Sequence, residues 1–164
     1  MTHVRPMRID ERDAVRSLLT DAYRPYANDL TPAMHEYYLA GVLDLDDGGD
    51  AIVAMAGDKV VGTARLFPPD RAPVPLPAGW AWVRAVAVHP SAQGTGAGRA
   101  LMAYCATRTT GALALHTMDF MPSAVRLYER LGYERVPEWD IQVGMESGFP
   151  AEEQFLAIAY ALVR

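Results

Sequence analysis

The sequence predicts a single α/β domain over residues 1–164, built around one mixed sheet. Three observations predict this fold class. Short apolar runs alternate along the chain with longer segments in which apolar residues recur at helical spacing. The length suits one domain that buries a proper core. The resulting order, β-α-α-β-β-β-α-β-α-β-β, is that of an α/β protein rather than an all-helical or all-strand one.

The first two predicted helices follow a short strand at the start of the chain. A helix over residues 10–22 is indicated by Asp10, an N-cap residue type, and by an apolar stripe of Val15, Leu18, Leu19 and Ala22. A second helix is predicted over residues 32–43, where a proline occupies the first turn.

A hairpin and a stiff loop come next. Strands over residues 51–56 and 59–67 flank Gly57-Asp58, a dipeptide typical of a hairpin turn. Five of the twelve prolines then fall within residues 68–77. Proline lacks an amide donor and has a fixed φ, so this segment is predicted to be a surface loop within the domain.

The second half continues the alternation of strands and helices. Its helices begin at a glycine-rich loop and at Pro122, and Gly132 is a predicted C-cap. The predicted elements are a strand over 80–88, a helix over 96–110, a strand over 112–118, a helix over 122–131, and two short strands, around Glu134 and over 155–162.

Composition and charge exclude several classes of protein. A net charge of −5 argues against a dedicated nucleic-acid binder or a membrane-surface protein. No apolar run reaches transmembrane length, and the first ten residues lack the apolar region of a signal peptide. Cys105 is the sole cysteine and lies in a helical pattern, which predicts a buried structural thiol in a reducing compartment. We therefore expect a cytoplasmic protein with no nucleic-acid partner, no membrane partner and no metal site.

The most informative segment is the loop from Gln93 to Arg99, which holds three glycines before a helix. Glycines allow a tight turn and close approach of a ligand, and a helix N-terminus offers free amides to a phosphate. A Rossmann GxGxxG does not fit, because Arg99 or Leu101 falls where the third glycine belongs. A P-loop does not fit either, because no Gly-Lys-Ser/Thr follows. The spacing that matches is Gln-x-x-Gly-x-Gly.

This loop and its surroundings resemble the GNAT superfamily of N-acetyltransferases over nearly the whole chain. The combination of the loop with a Leu-Tyr-Glu-Arg-Leu-Gly-Tyr helix end about thirty residues later is specific. The resembling segments are Val4-Arg5-Pro6 leading into residues 10–22, Val60-Val61-Gly62-Thr63-Ala64-Arg65, residues 83–101, and Ala124-Val125-Arg126-Leu127-Tyr128-Glu129-Arg130-Leu131-Gly132-Tyr133. The resemblance implies a GNAT fold, a mostly antiparallel sheet flanked by helices with splayed central strands, and acetyl-CoA as co-substrate.

The resemblance also implies a site. The cofactor's pantetheine arm would lie along Val86-Ala87-Val88, with the Val86 amide on the thioester carbonyl, and Tyr128 would protonate the thiolate leaving group. The catalytic residues implied are thus Tyr128 and Val86. The cofactor-binding residues implied are Val86, Ala87, Val88, Gln93, Gly94, Thr95, Gly96, Ala97, Gly98, Arg99, Ala124 and Tyr128.

Two positions depart from the family's pattern. Met121 replaces an asparagine that many members carry, so one side-chain contact to the cofactor is expected to be absent. The carboxylate or histidine often found in the strand before the loop aligns with Trp82 or Arg84, and neither is a base at neutral pH. The identity of the general base therefore remains open. The candidates are His116, Asp119 and a distant glutamate acting through water, and the reaction could also proceed without a base.

Trp82 and Arg84 are the predicted substrate-binding residues. Strand alternation places them on one face with Trp80 and Val86. If that face lines the acceptor pocket, it suits an amine that also bears an anion; the alternative is an aromatic core with Arg84 paired to a carboxylate of the domain.

The sequence therefore predicts an enzyme that moves acetyl from acetyl-CoA to a primary amine, either of a small molecule or of a peptide. Two alternatives remain open: a GNAT-fold module that binds CoA without turnover, and an enzyme that uses a longer acyl-CoA. A homodimer is possible.

Overall fold

The computed structural model describes residues 2–163; Met1 and Arg164, the two ends of the predicted domain, lie outside the described residues. Several short 3-10 turns join the main elements. In chain order these elements are β1 (Thr2–Pro6), α1 (Arg12–Tyr23), α2 (Pro32–Leu43), β2 (Asp50–Ala56), β3 (Lys59–Phe67), β4 (Ala81–Val88), α3 (Ala97–Thr107), β5 (Leu113–Met118), α4 (Pro122–Arg130), β6 (Glu134–Arg135), β7 (Ile141–Val143) and β8 (Phe155–Leu162).

The strands of residues 2–163 form one mixed sheet in the order β1-β2-β3-β4-β5-β8-β6, and β7 also pairs with β8. The β4–β5 pair is parallel, and the other pairs are antiparallel. β4 and β5 pair only where Ala81, Trp82 and Val83 face Leu113, Ala114 and Leu115. Beyond Val83 the two strands separate, so the predicted mixed sheet with splayed central strands is confirmed.

Helices cover both faces of this sheet, and each face has its own core. On one face, α3 and α4 pack with residues that include Val83, Leu101, Met102 and Leu115. On the other, α1 and α2 pack with residues that include Leu19, Val42 and Val53. Cys105 is fully buried in the first core, and burial raises the pKa of its thiol to about 12, in agreement with a structural role.

Several predicted boundaries were wrong. Asp10 is not the N-cap of α1, because the chain makes a 3-10 turn over Ile9–Glu11 before the helix begins. Glu11 organises this turn, since its carboxylate accepts the Arg8 amide at 2.7 Å and both Nη atoms of Arg5 at 2.7 and 2.8 Å. Helix α3 ends at Thr107 rather than at 110, and the short strand β7 was not predicted.

A β-bulge interrupts β4 at the point where the sheet opens. Thr63 pairs with Ala87, and Arg65 pairs with Arg84. Between these pairs, Ala64 of β3 lies opposite two residues of β4, Ala85 and Val86. Ala85 has a φ of 55°, an uncommon left-handed conformation for a residue with a side chain. The strand therefore changes direction immediately before Val86.

None of the helices in residues 2–163 combines the length and the apolar composition that are needed to cross a bilayer.

Candidate active site

The glycine-rich loop lies between the end of β4 and the first turn of α3. Gly94 and Gly96 have φ values of 80° and 89°, a region that residues with a Cβ rarely adopt. A Cβ on either glycine would meet no protein atom within 4 Å, so the space beside the loop is open. Gly96 is the N-cap of α3, and the amides of Gly96, Ala97, Gly98 and Arg99 are those that a first helical turn leaves without intrahelical acceptors.

Thr95 differs from the other loop residues. Its amide donates to the Ala92 carbonyl at 3.3 Å, and its hydroxyl donates to the same oxygen. The Thr95 amide is therefore already paired within the loop. Thr95 closes the turn.

A first cavity, about 550 Å³, runs from this loop along β4 to α4. Three arginines line it (Arg99, Arg126 and Arg130), and none of the described residues that line it is acidic. Its walls bring together every predicted cofactor-binding residue except Thr95: Val86, Ala87, Val88, Gln93, Gly94, Gly96, Ala97, Gly98, Arg99, Ala124 and Tyr128.

Tyr128 lies on α4 with its side chain 5% exposed and its ring 5.9 Å from that of Tyr133. Its hydroxyl has no hydrogen-bond partner among residues 2–163, neither in the backbone nor in a side chain. Burial raises the pKa of Tyr128 above its ordinary value of 10, with smaller contributions from neighbouring tyrosines. The phenol therefore stays protonated at neutral pH.

A second cavity, about 660 Å³, lies on the other side of the gap. Tyr23, Tyr37, Tyr38 and Trp82 give it aromatic walls, and Arg84 gives it a cation. Trp80 is not among its lining residues; the Trp80 ring instead packs against Trp139 at 5.6 Å. Of the two tryptophans that strand alternation places on one face, Trp80 and Trp82, only Trp82 faces this cavity.

The two cavities meet beside the bulge. Both are lined by Tyr23, Val86, Met121, Ala124 and Tyr128. A molecule extending along the first cavity from the loop and a second molecule in the other cavity would therefore come together at Val86 and Tyr128.

The predicted face shared by Trp82, Arg84 and Val86 is wrong for Val86. Val83 belongs to the core under α3, whereas Ala85 and Ala87 belong to the core under α1 and α2. The alternation of β4 thus inverts at the bulge. Arg84 extends towards α2, and Val86 packs against the opposite core.

Arg84 shares one carboxylate with a second arginine. Arg65 is 1% exposed and donates to Asp47 Oδ2 at 3.0 Å and to the carbonyl oxygens of Val42 and Gly41 at 2.8 and 3.1 Å. Arg84 Nη1 lies 3.7 Å from the same Asp47 oxygen, an ion-pair distance beyond that of a hydrogen bond. The pKa of Arg65 is lowered overall, mainly by burial. Asp47 opposes this shift, and the positive charge of Arg84 adds to it.

His116 lies in the second cavity but is fixed between two tryptophans. The indole Nε1 of Trp82 donates to Nδ1 at 3.1 Å, which leaves Nε2 to donate to the Trp139 carbonyl at 2.7 Å. Burial lowers the pKa of His116, so the ring stays neutral. Its one lone pair is already used, and His116 therefore does not qualify as a general base.

The junction, where the two cavities meet at Val86 and Tyr128, has no general base among the described residues. Asp119 is exposed in the turn after β5 and lines neither cavity. Asp44 is the carboxylate that lines the second cavity, and it is exposed and accepts the Asp46 amide. Residues 2–163 contain no cluster of three His, Cys, Asp or Glu residues that would hold a metal ion.

Sequence reasoning missed the contributions of α1 and α2 to the cavities, and two arginines of α4. Tyr23 and Tyr38 were assigned no role in the site, although Tyr23 reaches both cavities. Arg126 and Arg130 were also missed, and their spacing of four residues on α4 was a usable signal for a common helix face.

With the fold and the cavities described, the class of protein follows from a family comparison. The model of the acetyltransferase (GNAT) family matches residues 12–133, which is most of the chain. The protein therefore belongs to the GNAT family of acetyltransferases. A search of curated proteins found no match.

Solved structures of low sequence identity have the same fold. One is the PaiA N-acetyltransferase from Thermoplasma acidophilum in complex with coenzyme A (TM-score 0.73, 10% identity, covering 100% of this chain and 99% of that one). Another is a GNAT-family acetyltransferase from Staphylococcus aureus (TM-score 0.69, 16% identity, covering 99% of each chain). A third is the ribosomal-protein-S18-alanine N-acetyltransferase from Escherichia coli (TM-score 0.65, 18% identity, covering 99% of this chain and 94% of that one).

Proposed function

We propose that the protein transfers an acetyl group from acetyl-CoA to a primary amine by direct attack of the amine on the thioester. The observation that carries this proposal is the meeting of the two cavities at Val86 and Tyr128. The first cavity suits the co-substrate, and the second suits the acceptor. The family membership supports acetyl transfer in general.

The first cavity fits an extended polyanion. Gly94 and Gly96 leave open space beside the first turn of α3, whose unpaired amides and positive dipole end favour a pyrophosphate. Arg99, Arg126 and Arg130 add positive charge without a competing carboxylate. Beyond the loop, β4 has lost its partner β5, so the gap accommodates a pantetheine arm along Val86-Ala87-Val88.

Two groups act at the junction in this proposal. The Val86 amide donates to the carbonyl oxygen of the thioester and stabilises the negative charge that develops there, an interaction worth about 3 kcal/mol of barrier. Tyr128 gives its proton to the sulfur as the C–S bond breaks and the C–N bond forms. The amine nitrogen loses one proton to solvent, and Tyr128 regains one, so the net reaction moves a proton from nitrogen to sulfur.

The direct test measures thiol release from acetyl-CoA in the presence of a panel of amines, alongside calorimetric titration with CoA. Release that depends on both acetyl-CoA and an amine supports the proposal. Tight CoA binding without release from any amine would favour a binding module instead. Faster release from propionyl-CoA or butyryl-CoA than from acetyl-CoA would identify an enzyme for longer acyl groups.

A further inference from the structure

Arg84 has an unusual environment for a half-buried cation. Its side chain is 30% exposed in the wall of the second cavity. Its guanidinium has no hydrogen-bond acceptor among residues 2–163, although it carries five N–H donors. Its acceptors therefore come from outside the described residues, either from water or from a ligand in the cavity, and a ligand anion would pair with it directly.

The nearest carboxylate does not meet this need. Asp47 Oδ2 is taken by Arg65 at 3.0 Å, and Asp47 Oδ1 accepts the Gly49 amide at 3.1 Å. Arg65 is itself fixed by two backbone carbonyls as well as by Asp47. Two guanidinium groups therefore share one carboxylate, the group of three carries a net charge of +1, and Arg84 is its one member in the described wall of the second cavity.

Helix α2 leaves room for the guanidinium at this position. A Cβ on Gly41 would lie 2.8 Å from Arg84 Nη2, so glycine allows the cation to lie close to the α2 backbone. Asp44, the acidic residue of the cavity wall, is exposed and accepts the Asp46 amide. The remaining wall near Arg84 is aromatic and includes Tyr23, Tyr38 and Trp82.

We infer that the acceptor is a small amine with an aromatic or apolar body and a carboxylate, and that Arg84 is the residue that selects it by pairing with that carboxylate. This inference rests on the proposed function, because it assigns the second cavity to the acceptor. Arg84 and Val86 are two residues apart, so their Cα atoms are separated by at most about 7 Å. The anion and the amine would thus occupy one cavity, which favours an amino-acid-like molecule over an amine on a protein surface.

The test compares aromatic amino acids with their amides in wild-type protein and in Arg84→Gln. For each pair, kcat/KM is measured by thiol release from acetyl-CoA. The wild type is expected to prefer each acid over its amide. Arg84→Gln should lower kcat/KM for the acids by about 30-fold or more, because the substrate carboxylate loses its charged partner in the cavity, and change it for the amides by less than about threefold.

Two control variants accompany this comparison. Arg108→Gln removes a cation that lies over the Tyr104 ring, outside both cavities, and should leave the preference unchanged. Arg84→Lys keeps the charge without the planar fork and should retain part of the preference. Equal kcat/KM for acid and amide in the wild type, or a preference that survives in Arg84→Gln, would overturn the inference.

A binding measurement separates this inference from the proposed reaction. In the presence of CoA, aromatic amino acids should raise the melting temperature of the wild type more than their amides do, and this difference should vanish in Arg84→Gln. If that pattern appears without any thiol release, the reaction is wrong and the anion site stands. If amines are acetylated but the acids give no selective stabilisation, the reaction stands and the anion site is wrong.

Discussion

Tyr128 has a buried ring, yet its hydroxyl has no hydrogen-bond partner among residues 2–163. This oxygen is not among the fully buried side-chain atoms that lack a partner, so the hydroxyl opens into the space around it. Tyr128 lines both cavities, so a ligand at the junction would provide one. This environment is better explained by a role in the reaction than by packing alone.

Tyr128→Phe should therefore lower kcat by about 10²–10⁴-fold and leave CoA affinity almost unchanged, since only the proton donor is lost. Steady-state kinetics and calorimetric titration with CoA measure the two effects. Tyr133→Phe is the matched control, because Tyr133 is a buried neighbour that lines neither cavity. A loss of less than about threefold in Tyr128→Phe would assign Tyr128 a structural role.

Gly96 and Gly57 have similar backbone conformations in different surroundings. Both have a positive φ, 89° and 62°, and a Cβ on either would meet no protein atom within 4 Å. Gly96 lines the first cavity, whereas Gly57 lies in the turn between β2 and β3. Substitution of each glycine therefore distinguishes two effects: both variants strain the backbone, but only the one at Gly96 changes the lining of the first cavity.

Gly96→Ala and Gly57→Ala should each lower the free energy of unfolding by about 1–2 kcal/mol, the cost of a left-handed alanine. Only Gly96→Ala should weaken CoA binding, by about tenfold or more, because its methyl group would stand where the pyrophosphate approaches the loop. Urea denaturation and calorimetric titration test the two expectations. Equal CoA affinity in the two variants would remove the loop from the binding site.

At the scale of the elements, local patterns predicted most helices and strands, because caps, turns and periodicity are encoded within a few residues. The bulge in β4 was not predictable in this way. Its position depends on the register between β3 and β4, and Ala85 gives no sign of a positive φ. The assignment of Arg84 and Val86 to one face failed for this reason, since one inserted residue reverses every side chain that follows.

The bulge leads to a prediction about Ala85. Ala85→Val should lower the free energy of unfolding by about 2 kcal/mol or more, because a β-branched side chain is strained at this φ and the site is buried. Ala85→Gly should stay within about 1 kcal/mol of the wild type, since relief of strain offsets the loss of a buried methyl group. Urea denaturation of both variants measures this, and an Ala85→Val variant as stable as the wild type would show that the backbone does not need this conformation.

Long-range pairs limited what the sequence could predict about the site. Asp47 lies eighteen residues before Arg65, and His116 is held by Trp82 and Trp139, so none of these contacts follows from local spacing. The loop, Val86 and Tyr128 line one cavity, and a family motif in the sequence marks all three. The environment of Arg84 and the exclusion of His116 as a base required the folded chain.

At the scale of the whole molecule, the distribution of charge matters more than its total. The chain has a net charge of −5, yet the first cavity has three arginines and no acidic residue among its described lining. The described lining of the second cavity holds one arginine, Arg84, and one exposed carboxylate, Asp44, and its histidine, His116, has no free lone pair. The first cavity therefore suits an anionic ligand, and in the proposed reaction the amine would lose its proton in solution before it attacks.

This arrangement fixes the expected pH dependence. Only the neutral amine attacks a carbonyl, so kcat/KM should rise with pH until the pKa of the acceptor itself and then level off. Burial holds the pKa of His116 below 6.5 and that of Tyr128 above 10, so neither group should titrate between these limits. Two acceptors, one with a peptide α-amine (pKa of about 8) and one with a lysine-like amine (about 10.4), should give midpoints about two units apart. Rate measurements from pH 6.5 to 10 test this: the rate with the α-amine should level off within this range, whereas the rate with the lysine-like amine should still be rising at pH 10. Levelling off at the same pH for both amines would reveal a catalytic base of the protein.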